Sequence, residues 1–162
     1  MSEHSIALVI NGHKLNARVE ARLSLGDFLR VNAGYSGLHL GCEHGVCGAC
    51  TVIVDGEAVR SCLMLAVQAN GTEITTVEGL SGTDGTLHPI QQALRDEHAL
   101  QCGFCTPGII MTLAALIAGQ KQLDADILLG AMSGHLCRCT GYQGIRRAAR
   151  RLAGEVVPGE TP

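Results

Sequence analysis

Eight cysteines carry the chemistry this chain can do, and their spacing sorts them into two sets of four. Cys42, Cys47 and Cys50 stand with four and then two residues between them, inside Gly41-Cys42-Glu43-His44-Gly45-Val46-Cys47-Gly48-Ala49-Cys50-Thr51. That is the plant-type ligand spacing of a [2Fe–2S] cluster. Iron takes thiolates tetrahedrally, so the sulfurs have to converge on one small volume from a backbone that wraps it. Gly41, Gly45 and Gly48 supply the positive φ values and close approach that wrapping needs. Small side chains also leave backbone N–H groups free to point at cluster sulfurs, which tunes the reduction potential. Cys62 is the sole cysteine between Cys50 and Cys102, and so the fourth ligand. Thr51–Val54 reads as a strand, Asp55-Gly56 as a tight turn and Glu57–Arg60 as the return strand, so Cys62 lands beside the loop.

Other chemistries fit this set less well. Structural zinc favours two separated short pairs over a triplet plus one. Disulfides go with a secretory context, which nothing in the sequence supports. Cys42-Glu43-His44 offers only half of a Rieske site, which leaves His44 a plain loop residue.

Cys102, Cys105, Cys137 and Cys139 form the second set. Cys105-Thr106-Pro107 and Cys139-Thr140-Gly141 each place a cysteine pair just before a capped helix. Two helix N-termini then point at one spot, where their positive ends favour an anionic cluster. Pairwise spacing alone leaves a zinc site open. The plant-type set earlier in the same chain favours a second [2Fe–2S] cluster.

The elements that position these residues follow from the rest of the pattern. Ser5–Ile10 and Lys14–Val19 read as strands around an Asn11-Gly12 type I′ turn. Ser24 caps a helix over Leu25–Asn32, with Gly34 after its end, and a last strand lies near Glu73–Val77. Strands, one helix and a cysteine loop predict a small α+β domain with a β-grasp-like sheet over residues 1–78. Glu78–Thr86 is a Gly/Ser/Thr-rich connector, its centre at 79–86. Helices follow over Ile90–His98 behind Pro89, from Thr106-Pro107 to Ala118 before Gly119, over Ala125–Met132 behind Asp124, and over Tyr142–Leu152 behind Thr140. Residues 87–153 are thus expected to form a four-helix domain, with a tail at 154–162.

With 162 residues, four aromatics and no Trp, the core must be aliphatic. A net charge of −3 without a basic-aromatic platform argues against nucleic acid. The longest apolar run, Gly108–Gly119, is too short to span a bilayer, and no signal peptide is evident. The expectation is a soluble, cytoplasmic chain.

Taken together, the two cysteine sets resemble the iron–sulfur subunit of the molybdenum hydroxylase (xanthine oxidase) family. The resemblance covers about residues 5–152. It rests on Gly41–Thr51, Cys62, Gln101-Cys102-Gly103-Phe104-Cys105-Thr106-Pro107-Gly108 and Leu136-Cys137-Arg138-Cys139-Thr140-Gly141-Tyr142. His135 stands where the family pattern usually carries Asn. The resemblance implies that Cys42, Cys47, Cys50 and Cys62 hold a cluster nearer FAD, and Cys102, Cys105, Cys137 and Cys139 one nearer molybdenum. It further implies that Gln101 and Cys139 contact the molybdopterin, as its cytosine dinucleotide. The partners would be a large molybdopterin-binding and a medium FAD-binding subunit, assembled as a dimer of heterotrimers. Such enzymes hydroxylate a substrate carbon with oxygen from water and pass two electrons through the clusters to FAD. The chain agrees by what it lacks: there is no G-x-G-x-x-G, and it is too short to house a molybdenum cofactor as well. A free-standing two-cluster ferredoxin and a zinc-stabilised interaction module are the competing readings.

Lesser features read plainly. Arg146, Arg147, Arg150 and Arg151 form a basic run, either a solvated helix face or a docking surface. Met111 and Met132 read as core filler, and Arg138 lies between two ligands, able to raise a cluster potential or simply to face water.

Overall fold

The computed structural model describes residues 3–118 and 124–155. Gly119, expected to end the third helix, and most of the tail after Gly154 lie outside them. Strands β1 (Glu3–Ile10) and β2 (His13–Glu20) pair antiparallel around Asn11-Gly12, whose φ values of 50° and 79° are those a two-residue primed turn requires. Strands β3 (Thr51–Val54) and β4 (Glu57–Arg60) form the second hairpin, and β5 (Glu73–Thr75) lies between the hairpins. The sheet order is β2-β1-β5-β3-β4, with β5 parallel to β1 and antiparallel to β3.

Alternation decides which face of the sheet is covered. Ile6, Leu8 and Ile10 of β1 point inward with Val52, Val54 and Ile74. Onto them packs α1 (Leu25–Asp27), continued by a π-helical turn over Phe28–Asn32, which buries Leu25, Phe28 and Leu29. Ser24 caps α1 by accepting from the Asp27 amide.

The second half carries α2 (Pro89–Asp96), α3 (Thr106–Ala118), α4 (Ala125–Met132) and α5 (Gln143–Leu152). Helix α3 is the central post: residues Gly108–Ala114 are buried without interruption, and it packs on β3 as well as on α4. The helix starts differ in detail from the expectation. His88 caps α2, receiving Ile90 N–H while Gln91 accepts from the His88 amide. Thr106 is the first helical residue of α3 rather than its cap. Tyr142 precedes α5 in a left-handed conformation, φ 66°.

The basic run on α5 turns out to be partly internal. Glu97, buried to 3% exposure at the end of α2, receives Arg147 Nε at 2.9 Å and Arg151 Nη1 at 3.2 Å, and its carbonyl receives Arg147 Nη2 at 3.1 Å. An unpaired buried carboxylate costs several kcal/mol, whereas exposed pairs such as Arg18–Glu3 contribute at most about 1 kcal/mol. The Glu97 pairs are therefore the ones that tie α2 to α5. Arg150 faces Glu155 at 3.6 Å, Arg151 also reaches Asp96 at 3.7 Å, and Arg146 and Arg151 are the exposed members of the run.

Candidate metal centres

The first cysteine set lies where the sheet and α1 deliver it. Cys42, Cys47 and Cys50 sit in the loop between the π-helical turn and β3, and Cys62 follows β4. The hairpin closes as its register dictates: Ser61 donates both its amide (3.3 Å) and its hydroxyl (2.7 Å) to the Cys50 carbonyl. Cys50 and Cys62 are thereby brought into contact, Cys50 buried and Cys62 half-buried. Across the loop, the Cys47 amide donates to Cys42 Sγ at 3.4 Å.

Electrostatics sets Cys42 apart from Cys62. The Cys47 amide, then that of His44, stabilises the Cys42 thiolate and brings its pKa down to about 6. Burial, and then the neighbouring Cys50, pushes Cys62 up to about 11. Cys42 is prepared as thiolate; Cys62 needs a cation before it ionises.

The second set is built by two loops. Cys102 and Cys105 precede α3, and Cys137 and Cys139 precede α5. Cys139 Sγ lies 3.5 Å from Cys102 Sγ, both exposed, and Cys105, buried, contacts half-buried Cys137. Burial, then Cys137, raises the Cys105 thiol to about 12. Burial also acts to raise Cys137, but hydrogen bonds from the Thr140 hydroxyl (3.1 Å) and backbone outweigh it and the net direction is down. Cys139 is raised by its contact with Cys102.

Both sets therefore present sulfurs two by two. Among the described residues, no three Cys, His, Asp or Glu side chains converge as they would around a single ion. A mononuclear tetrahedral zinc site needs four donors at about 2.3 Å from one point. Pairs such as Cys42/Cys47, Cys50/Cys62, Cys102/Cys139 and Cys105/Cys137 suit one iron apiece, two irons to each set of four, every iron taking two thiolates and the two sharing two sulfides. The donor chemistry fits a binuclear group.

Several residues around these sites were not singled out by sequence. Tyr142 reaches back to accept the Cys137 amide on its hydroxyl at 2.7 Å, and Thr140 accepts the Tyr142 amide at 3.1 Å. A tyrosine five residues after a ligand was the available signal. His39 stacks on Phe104, ring centroids 4.6 Å apart, and donates from Nδ1 to the Phe104 carbonyl at 2.8 Å, joining the two ligand loops. His135 is buried rather than merely flanking; burial, then Arg60, lowers its pKa to about 4. Gln101 is exposed beside Cys102, four residues beyond the Glu97 that closes α2, so it caps no helix. Arg138 is exposed, and His44 hydrogen-bonds the Cys42 carbonyl.

A ferredoxin-like sheet lobe and a helical lobe, each bringing four cysteines together two by two, define the class of protein built from two [2Fe–2S]-binding domains. Comparison with known proteins agrees. Residues 8–78 match the 2Fe-2S iron-sulfur cluster binding domain, and residues 76–150 the [2Fe-2S] binding domain. The chain is 50% identical to the caffeine dehydrogenase subunit gamma of Pseudomonas sp. (strain CBB1), over 94% of this chain and 93% of that one. It is 48% identical to the nicotine 6-hydroxylase small subunit of Paenarthrobacter nicotinovorans, over 93% and 90%. A chain of quinoline 2-oxidoreductase from Pseudomonas putida 86 superposes with a TM-score of 0.87 at 46% identity, covering 93% of each. The chain belongs to the iron–sulfur, electron-transfer subunits of the heteromeric molybdenum hydroxylases, oxidoreductases whose catalytic site lies in another subunit.

Proposed function

We propose that Cys42, Cys47, Cys50 and Cys62 hold one [2Fe–2S] cluster and Cys102, Cys105, Cys137 and Cys139 the other. We read residues 1–78 and 87–153 as the units that carry them, with 79–86 between and 154–162 as a tail. When bound, the clusters supply one-electron carriage in each direction. The chain's own residues do the rest: they fix each sulfur pair, bring amide and hydroxyl donors to Cys42 and Cys137, and keep Cys50 and Cys105 away from water. The observation that carries this reading is the two-by-two approach of all eight sulfurs. Metal and sulfide analysis tests it: the purified chain should hold about four iron and about four acid-labile sulfide. Near-stoichiometric zinc, or iron without sulfide, overturns it.

The relay then runs from a molybdopterin cofactor, as its cytosine dinucleotide, in a large subunit, through the second and then the first cluster, to FAD in a medium subunit. The assembly is a cytoplasmic dimer of heterotrimers. The exposure of the Cys102/Cys139 pair supports placing that edge toward the molybdopterin. Gln101, with two amide donors and a carbonyl acceptor free in solvent next to Cys102, suits the mixed polar edge of a pterin. All three relatives reported above are named for nitrogen heterocycles, which supports that class as substrate of the complex, bound outside this chain. In the assembled complex, Gln101→Ala should leave both clusters in place while weakening cofactor retention or slowing the step from molybdenum to the second cluster. Full molybdenum content together with an unchanged rate of substrate-driven cluster reduction removes Gln101 from the contact.

A further inference from the structure

The two lobes meet at the loops that carry the cysteines. The Leu136 amide donates to the Cys47 carbonyl at 3.0 Å, so the residue preceding Cys137 is bonded to a cysteine of the first set. Backbones meet without side chains between them: a Cβ at Gly108 of α3 would run into the Gly48 carbonyl, and a Cβ at Gly48 into the His135 ring and the Gly134 carbonyl. Beside this contact lies His135, only 2% exposed. Its Nε2 shares a 2.8 Å hydrogen bond with Thr112 Oγ1 of α3, and its own amide donates to the Met132 carbonyl at 3.0 Å. Among the described residues Nδ1 finds no hydrogen-bond partner, and it sits against Gly48. A buried polar atom left unsatisfied is a cost that a packing residue such as Leu would not incur. Arg60, at the end of β4, closes the other side by donating to the Gly134 carbonyl at 2.8 Å and to Thr51 Oγ1.

We propose that His135 is the spacer that sets the separation of the two cluster sites, its ring anchored on Thr112 and pressed against Gly48 so that the Cys47 carbonyl and the Leu136 amide stay bonded. It is a positioning residue: it holds no iron, and it acts through the two loops it separates. A ring gives the wedge a fixed thickness, which a flexible chain of similar volume does not. Only the absence of a side chain at Gly48 and Gly108 lets the α3 backbone approach closely enough for that thickness to decide the spacing. No bond forms or breaks and no proton moves. What the residue controls is distance, on which the coupling between two redox centres depends steeply.

This inference rests on the two-cluster reading, and the test separates the two. In the reduced wild-type protein, both clusters are paramagnetic and their spin–spin splitting reports the separation. If the wild type lacks two clusters, the reading under Proposed function fails. If it shows two coupled clusters, His135→Ala should keep iron and sulfide at the wild-type level while the splitting shrinks or is lost. His135→Gln, whose amide nitrogen reaches where Nε2 lies but whose chain lacks the ring's fixed thickness, should give a splitting between those of the wild type and His135→Ala. Thr112→Val, of nearly the same shape but without the hydroxyl anchor, should reduce the splitting and serves as the deciding variant should His135→Ala lose iron at either site. A splitting unchanged from wild type in iron-replete His135→Ala, or in Thr112→Val where His135→Ala loses iron, overturns the proposal.

Discussion

A Cys105→Ala protein is expected to retain about half the iron of the parent chain and one of its two paramagnetic signals. Cys105 lies beneath the helical lobe's ligand loops, 8% exposed, at the end from which α3 starts. Burial keeps its thiol near pKa 12 in the free chain, so this position ionises only when a cation arrives. With Ala there, the inner side loses its buried sulfur: Cys137 remains without its partner, held by the Thr140 hydroxyl and by the hydrogen bond of its amide to the Tyr142 hydroxyl. Alanine is the better choice than serine because a serine oxygen could itself ligate. The first set should be spared. Its four cysteines are fixed by the β3–β4 hairpin and the loop before it, and the contact between the lobes runs through Gly48, Gly108, Cys47 and Leu136, none of which the substitution alters. Iron and sulfide analysis with reduced-state spectra checks this. Retention of four iron would remove Cys105 from the ligand set; loss of both signals would show that the sites do not assemble independently.

Much of this arrangement was legible in the residues. Cysteine spacing is covalent information, and the triplet at Cys42, Cys47 and Cys50 leaves little freedom about what it binds. The β3–β4 hairpin was equally plain, because Asp55-Gly56 has one good solution between two short strands and that solution returns Cys62 to Cys50. Helix α4 begins and ends where Asp124 and Met132 indicate.

What sequence could not show is what depends on three-dimensional approach. The turn Phe28–Asn32 follows an ordinary amphipathic helix pattern, yet widens to π geometry where the Ala33 amide returns to the Phe28 carbonyl at 2.9 Å. Glu97 and Arg147 are 50 positions apart, so a basic run that reads as a solvated face conceals two ion pairs to one buried carboxylate. His135 seemed peripheral because its neighbours in sequence are ligands, whereas its neighbours in space are Thr112 and Gly48. Pairing of the sulfurs within each set likewise needs coordinates, since spacing alone does not say which cysteine faces which.

Cys47→Ser should separate the two ends of the relay in the assembled complex. A serine oxygen is a harder and more strongly donating ligand than a thiolate, so a cluster that keeps it becomes harder to reduce. The substitution leaves the Cys47 carbonyl in place to receive the Leu136 amide, so the spacing of the sites should not change. It also falls in the loop of the first set, beside Val46, which is 55% exposed, whereas the Cys102/Cys139 edge read here as the molybdopterin side belongs to the second set. Substrate should then still reduce molybdenum and the second cluster at the wild-type rate, while flavin reduction falls by more than about 100-fold, the upper end of what disturbing a metal's outer partners alone costs. Rapid-mixing spectra that follow flavin and cluster absorbance separately read both rates in one experiment. If molybdenum is still reduced but the second cluster no longer is, in a complex that retains its full cofactor content, the order of the relay is the reverse of the one proposed. If flavin reduction is untouched although the altered cluster's midpoint has dropped, electrons reach FAD without passing through the first site, and Cys42, Cys47, Cys50 and Cys62 serve the fold rather than the relay.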